Sequence, residues 1–296
     1  VGHDAPVPGR YEVLRTQDPL ETHLLLDHEA KARVVVAPPR GGMVTRFVVG
    51  ESNVLYLDPE TLADPTKNVR GGIPVLFPIA GKLAGDSYVR GGATYAMKQH
   101  GFARQMAWTI VDQADEGCAR LGLGLEANPM TRAQYPFDFR LAMTYVLEEG
   151  RLTVEMRVSN LGDAPMPIQP GLHPYFQLAD KDKAAARVVT EATQAFDNRA
   201  GAVTALHGPI DLTGEVVDLH LLDHWPRTVR LTRPGDRDLE LALGVPDRLL
   251  IVWTERGKDF VCVEPWSARG NAFNDGGAVE VPPGGTYATS FSIALA

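Results

Sequence analysis

Apolar and polar residues alternate along much of this chain with a period of two. The clearest case is Phe139-Arg140-Leu141-Ala142-Met143-Thr144-Tyr145-Val146-Leu147, followed by Glu148-Glu149-Gly150 and a second alternating run from Arg151 to Val158. Successive side chains of an extended strand point to opposite faces, so this pattern predicts two strands joined by a Gly-containing hairpin turn. Short leucine- or valine-rich runs at 12–14, 23–27 and 32–36, each bounded by turn residues, also read as strands. Comparable spacing returns at 228–253 and 286–295, and Gly122 to Ala127 fits a strand better than a phosphate-binding glycine loop. A helix is expected only in short pieces such as 181–187, where Lys-Asp-Lys-Ala-Ala-Ala-Arg has good propensity but too few residues to be stable alone. The 29 glycines and 22 prolines are spread along the chain, so they punctuate strand connections and mark no linker. The reading is all-β, with one continuous domain over 1–296 and no internal repeat.

Composition narrows the class. A hydrophobic share of 44% with 22% charged residues is ordinary for a globular protein, and no apolar run is long enough to span a bilayer, so no membrane partner is expected. A net charge of -8 disfavours nucleic acid, which normally demands a basic surface. Cys118 and Cys262 are the only cysteines and neither sits in a Cys-x-x-Cys context. Two thiols in so long a chain read as reduced residues, and with no secretory signal at the start given, a cytoplasmic location is expected.

Two ionisable groups stand in strongly apolar contexts: His173 within Gly-Leu-His-Pro-Tyr-Phe, and Glu264 within Phe-Val-Cys-Val-Glu-Pro-Trp. A carboxylate in a hydrophobic strand is costly to desolvate unless it has a partner or a task, and an imidazole is the natural acid to set against it near neutral pH. On an extended strand Phe260, Cys262 and Glu264 share one face, with Val261 and Val263 on the other. Pro174 biases His173 toward an extended backbone. Two further segments are unusual: Arg70-Gly71-Gly72-Ile73-Pro74-Val75-Leu76-Phe77-Pro78, whose glycines allow a sharp turn that presents Arg70 to a ligand, and Gln99-His100-Gly101-Phe102-Ala103-Arg104. His220 and His224, four apart, have no evident third ligand, so neither a metal nor any other cofactor is expected.

Taken in order, residues 70–78, 100–104, His-Pro-Tyr-Phe at 173–176 and Val-Glu-Pro-Trp at 263–266 resemble the aldose 1-epimerases, or mutarotases, including their hexose-6-phosphate branch. A late Pro-Pro-Gly-Gly turn before the terminal strand extends the resemblance over nearly the whole chain. It implies a β-supersandwich of large antiparallel sheets with a few short helices, as one galactose-mutarotase-like domain, with a sugar held on a concave face. It also implies Glu264 as the base at the anomeric hydroxyl and His173 as the acid at the ring oxygen. The same resemblance implies sugar contacts by Arg70, His100, Arg104 and Asp223, with Asp218 as the alternative to Asp223. Trp266 or Phe102 would wall the pocket. The partner is then an aldose or an aldose phosphate; residues 76–83 lean the reading toward a free or broadly accepted aldose. Two other classes compete. A glycoside hydrolase needs two carboxylates, and the sequence shows no second one in a comparably apolar context. A non-catalytic sugar-binding or regulatory protein would not need both His173 and Glu264.

Overall fold

The computed structural model describes residues 9–17, 20–224, 228–247 and 249–296. Three antiparallel sheets dominate it. The first is a meander at the N-terminal end, Tyr11–Thr16, Thr22–Asp27, Ala32–Ala37, Met43–Val49 and Ser52–Asn53, each strand paired with the next. The second has eight strands in the order Arg187–Val189, Thr228–Thr232, Leu239–Leu243, Thr286–Leu295, Arg151–Asn160, Phe139–Glu148, Ala119–Glu126 and Thr109–Ala114. The third runs Ala202–Ala205, Gln194–Asp197, Val216–Leu221, Leu249–Glu255, Phe260–Trp266, Gly171–Leu172 and Val75–Leu76, with Tyr175–Gln177 also paired to Phe260–Trp266. The supersandwich expected from the resemblance is therefore what the chain adopts.

The expected hairpin forms with Met143 opposite Met156 and Glu148 opposite Arg151. Phe139, Leu141, Met143, Tyr145 and Leu147 are fully buried, while Arg140 and Glu148 are exposed. One face of this sheet thus packs into the core and the other meets solvent, which is why its sequence alternates so cleanly. The N-terminal meander lies against it: Gly150 donates to Asp27 Oδ2 at 3.1 Å, and the Tyr145 hydroxyl donates to the carbonyl of Gly42 at 2.5 Å. A single buried apolar cluster links residues from Tyr11 to Ile293 across all three sheets.

The third sheet is different at its centre, where one strand buries both faces. All seven residues of Phe260–Trp266 are buried. Val261 and Val263 enter the large core, whereas Phe260 and Cys262 pack with Tyr175, and Trp266 packs with Leu249 and Ile251. The predicted two-face division of this strand is therefore observed.

One expectation fails locally. The stretch 181–187 forms no α-helix: a 3-10 turn covers Asp180–Asp182, and Lys183 is buried with its ammonium on the carbonyl of Glu255 at 2.6 Å and on Asp180 at 3.1 Å. That tertiary demand overrides propensity. The strand spacing expected at 228–253 is observed: Thr228–Thr232 and Leu239–Leu243 pair in the second sheet, and Leu249–Glu255 crosses to the third. The α-helices described are short: Pro59–Ala63, Pro129–Gln134 and Ala272–Asp275. The second carries a reciprocal Asn128–Thr131 cap with Pro129 at its first turn. Among the described residues no helix is long and apolar enough to cross a membrane.

Candidate active site

The outer face of the third sheet floors an open cleft of about 820 Å³. Strand parity and register decide what reaches it. Glu264 lies opposite Ile251, and Ile251 lies opposite His220; one step along, Trp253 lies opposite Asp218. These positions share a face, so Asp218, His220, Ile251, Trp253, Glu264 and Trp266 all line the cleft. Loops close the remaining sides with Arg70, Gln99, His100, Arg104, His173 and Tyr175 on one part of the wall, and Lys82, Arg269 and Asn271 on another.

His173 falls between the strands Gly171–Leu172 and Tyr175–Gln177, and its N–H donates to the carbonyl of Pro74 at 3.0 Å. Its ring stacks on Tyr175, with centroids 4.6 Å apart and planes 5° from parallel, and meets the rings of Trp253 and His100 edge-on. The orientation that results brings His173 Nδ1 to 3.5 Å from Glu264 Oε1. Glu264 is 2% exposed, and its other oxygen accepts a hydrogen bond from Trp266 Nε1 at 3.1 Å. The two groups that the sequence singled out, 91 positions apart, therefore form one contact at the floor of the cleft.

Burial governs their ionisation. It pushes the Glu264 carboxyl well above the usual carboxylate range, with the Asp218 carboxylate adding to the shift and the Trp266 N–H opposing it. It also pushes the His173 imidazole down to about 3, helped by the positive charges of Arg104 and Arg70. Both shifts disfavour charge, so over a wide pH range the pair holds one proton in total, resting on the carboxyl.

His100 adopts a left-handed backbone, φ +67°, followed by Gly101 at φ +66°. A side chain at Gly101 would collide with the carbonyl of Phe77, so glycine is required there. The turn lets His100 and Gly81 bind each other twice: His100 N–H donates to the Gly81 carbonyl at 2.8 Å, and Gly81 N–H donates to His100 Nδ1 at 3.0 Å. Nδ1 accepts from Gly81, and Nε2 lies 3.2 Å from the Gln99 side-chain amide nitrogen, so both ring nitrogens already have a partner. Burial first, then the charges of His173 and Arg104, hold this ring neutral. Arg104 donates to the Gln99 carbonyl at 2.9 Å, and burial lowers its pKa. Arg70 sits exposed at the rim, directly before Gly71 and Gly72; a side chain at Gly72 would strike the carbonyl of Val44.

The structure separates the two candidate aspartates. Asp223 lies beyond the end of its strand, exposed, and its carboxylate accepts from Thr193 N, Thr193 Oγ1 and Gln194 N. It does not line the cleft, and its expected sugar contact is replaced by this capping role. Asp218 does line the cleft, 3.3 Å from His220 Nε2 and accepting from Asn198 Nδ2 at 2.8 Å. Burial raises its pKa, but these two partners outweigh burial and leave it lowered, so it stays a carboxylate. The cleft thus holds a second carboxylate that apolar context alone did not reveal. Trp266 forms part of the floor as expected, whereas Phe102 is buried in the core, packed on Phe77 and Phe139. Asn198, Trp253 and the rim cations Lys67, Lys82 and Arg269 went unnoticed in the sequence, and His220 was weighed there only as a metal ligand. The period-two spacing of 218 and 220 was a usable signal; the rim loops carried none.

Donor atoms of His173, Cys262 and Glu264 lie within 4.8 Å of one another, while His220 reaches the cleft and His224 is not among its lining residues.

The sequence profile of the family described as Aldose 1-epimerase matches residues 22–267. The Slr1438 protein of Synechocystis sp. PCC 6803 superposes with a TM-score of 0.88 at 32% identity, covering 100% of this chain and 99% of that one. A galactose mutarotase-like protein of Clostridium acetobutylicum shares the fold with a TM-score of 0.82 at 16% identity, over 97% and 99% of the two chains. A Salmonella typhimurium protein, named as a candidate glucose-6-phosphate 1-epimerase, is 26% identical over 242 residues, 73% of each chain.

Proposed function

The chain belongs to the aldose 1-epimerase family and is an isomerase that interconverts the α and β anomers of a sugar; we propose that Glu264 and His173 carry out its proton transfers. Ring opening removes the proton of the anomeric hydroxyl and places one on the ring oxygen. Those two oxygens share the anomeric carbon, so the acid and base that serve them must be neighbours. The 3.5 Å contact between His173 Nδ1 and Glu264 Oε1 is the observation that carries this assignment.

In the opening direction Glu264, as carboxylate, accepts the hydroxyl proton while His173, as imidazolium, protonates the ring oxygen. Afterwards the proton is on Glu264 and His173 is neutral, which is the state that burial favours in the empty cleft. Rotation about the C1–C2 bond and reclosure return the pair to its start. The total proton count never changes, so no cofactor is required in this scheme. The Trp266 N–H steadies the carboxylate form, and the sugar hydroxyls that fill the cleft supply further donors. His100, a neutral ring on the cleft wall, and Asp218, an ionised acceptor, suit contacts with sugar hydroxyls; Arg70 and Arg104 complete the contacts.

The test is polarimetry of freshly dissolved α-D-glucose and α-D-galactose. Wild-type protein accelerates the approach to equilibrium, and Glu264→Gln or His173→Asn lowers kcat by about 100- to 10,000-fold. Binding without acceleration would favour the non-catalytic reading, and release of reducing sugar from an aryl glycoside would favour a hydrolase.

A second reading concerns the substrate. On a chain of net charge -8, the cleft gathers Lys67, Arg70, Lys82, Arg104 and Arg269 against only Asp218 and Glu264. That local reversal of sign suits an anionic substituent and supports a hexose 6-phosphate, in line with the name of the Salmonella typhimurium relative. Comparing glucose with glucose 6-phosphate, and then Arg70→Ala with Arg104→Ala, decides between the two: a selective loss on the phosphorylated sugar supports the phosphate reading. We also read the chain as one domain, since the buried cluster is continuous, and as cytoplasmic, since Cys118 and Cys262 are unpaired.

A further inference from the structure

Beneath the proposed proton pair lies a group that the epimerisation scheme leaves unused. Cys262 is on the same strand face as Glu264, two residues away, fully buried between Tyr175 and Phe260. A ring nitrogen of His173, Cys262 Sγ and a Glu264 carboxylate oxygen all lie within 4.8 Å of one another, and His173 Nδ1 is 3.5 Å from Glu264 Oε1. His173 Nδ1 is buried, and it has no partner that meets hydrogen-bond geometry. An imidazole nitrogen, a sulfur and a carboxylate oxygen make the mixed donor set that zinc-class dications select.

We propose that this trio is an inhibitory binding site for a thiophilic divalent cation of the zinc class, entered from the sugar cleft. Bond lengths of about 2.0–2.3 Å at a tetrahedral ion imply edges of roughly 3.3–3.7 Å between ligand atoms. The His173–Glu264 edge, at 3.5 Å, already has that length, and the edges to sulfur close by a side-chain adjustment of an ångström or so. With Cys262 as thiolate and Glu264 as carboxylate, two negative charges cancel the ion's two positive ones, so the filled site is neutral in its apolar surroundings. The fourth position faces the cleft and takes water.

The bound ion occupies the space between His173 and Glu264 and consumes the lone pairs that would handle protons. Binding therefore excludes epimerisation. The ion's binding stands on the donor geometry alone; the inhibition rests on the catalytic roles proposed above.

The probe is Co2+ added to chelator-treated protein, followed by the near-ultraviolet thiolate-to-cobalt charge-transfer band, with Zn2+ affinity measured by calorimetry and activity by polarimetry. One equivalent of Co2+ is expected to give the band in wild type and in Cys118→Ser. Cys262→Ser is expected to lack it and to bind Zn2+ about tenfold more weakly or worse. Should Cys262→Ser not fold, competition serves instead: a saturating concentration of the aldose that the enzyme epimerises is expected to suppress the band in wild type. No band in wild type, a band that survives in Cys262→Ser, or one indifferent to saturating sugar would each overturn the proposal. A cleft-bound ion that leaves mutarotation untouched would instead uphold the metal site and overturn the catalytic assignment of His173 and Glu264.

Discussion

The two eight-stranded sheets are built from the same kind of strand and differ in what covers their outer faces. In the sheet that contains Phe139–Glu148, the outer face meets water, and its charges are paired in the open: Arg140 with Glu126 at 2.7 Å, Arg120 with Asp112 at 2.9 Å, Arg230 with Asp238 at 2.9 Å. In the sheet that contains Phe260–Trp266, the outer face floors a cleft walled by loops, and Glu264 sits where charge is penalised. A carboxyl on the first sheet is a surface ion-pair partner; on the second, burial holds Glu264 protonated, while His220 and Asn198 keep Asp218 ionised. What suits Glu264 to its proposed role is the wall of loops around it, since the strand chemistry is shared.

The largest test of that contrast replaces one carboxyl in each sheet. Glu264→Gln is expected to lower kcat by about 100- to 10,000-fold, whereas Glu126→Gln leaves kcat unchanged in the same polarimetric assay. Next comes the pair of aspartates. Asp218→Asn is expected to raise KM or lower kcat/KM by about tenfold through a lost hydrogen bond to the sugar, with Asp223→Asn changing neither. Loss of kcat/KM in Asp223→Asn alone would reverse the placement of the cleft.

A smaller effect concerns stability and has the opposite sign from activity. A Glu264 carboxyl whose folded pKa lies above its unfolded one contributes stability below about 4.5, and that contribution is lost as pH rises through the folded value. At neutral pH the wild type therefore carries a penalty that an uncharged amide does not. Glu264→Gln should be more stable by about 1 kcal/mol in urea denaturation at pH 7, with a larger gain at pH 9. The smallest effect belongs to the solvent-facing sheet: Arg140→Ala should change stability by less than about 0.5 kcal/mol, because exposed pairs contribute little. A greater loss at Arg140 than at any cleft residue would break the contrast altogether.

Much of this was legible in the sequence because half-covered strands advertise themselves. The alternation at Phe139–Glu148 identified both the strand and its buried face, and the apolar runs around His173 and Glu264 marked groups held against their solvation preference. Asp218 escaped first choice although Val217 and Leu219 flank it, because its place in the cleft depends on register with Trp253, which no local pattern states. Asp223, which the resemblance offered alongside Asp218, lies two residues past the strand end at Leu221 and outside the cleft lining. The helix Pro129–Gln134 was announced by Asn128 and Pro129 and passed over, its six residues being too few to show a helical period. The rim cations lie on loops whose convergence is a property of the folded chain alone.

The most direct measurement of the central claim is the pH dependence of kcat/KM for mutarotation, corrected for the buffer-catalysed rate. One shared proton on a buried pair predicts a broad plateau. Adding a second proton ends it on the acid side, near the His173 value of about 3, and removing the shared proton ends it well above the ordinary carboxylate range. Activity therefore stays level through pH 6 to 7. A narrow bell between about 4.5 and 6.5, the ordinary values of a solvated glutamate and histidine, would contradict the account.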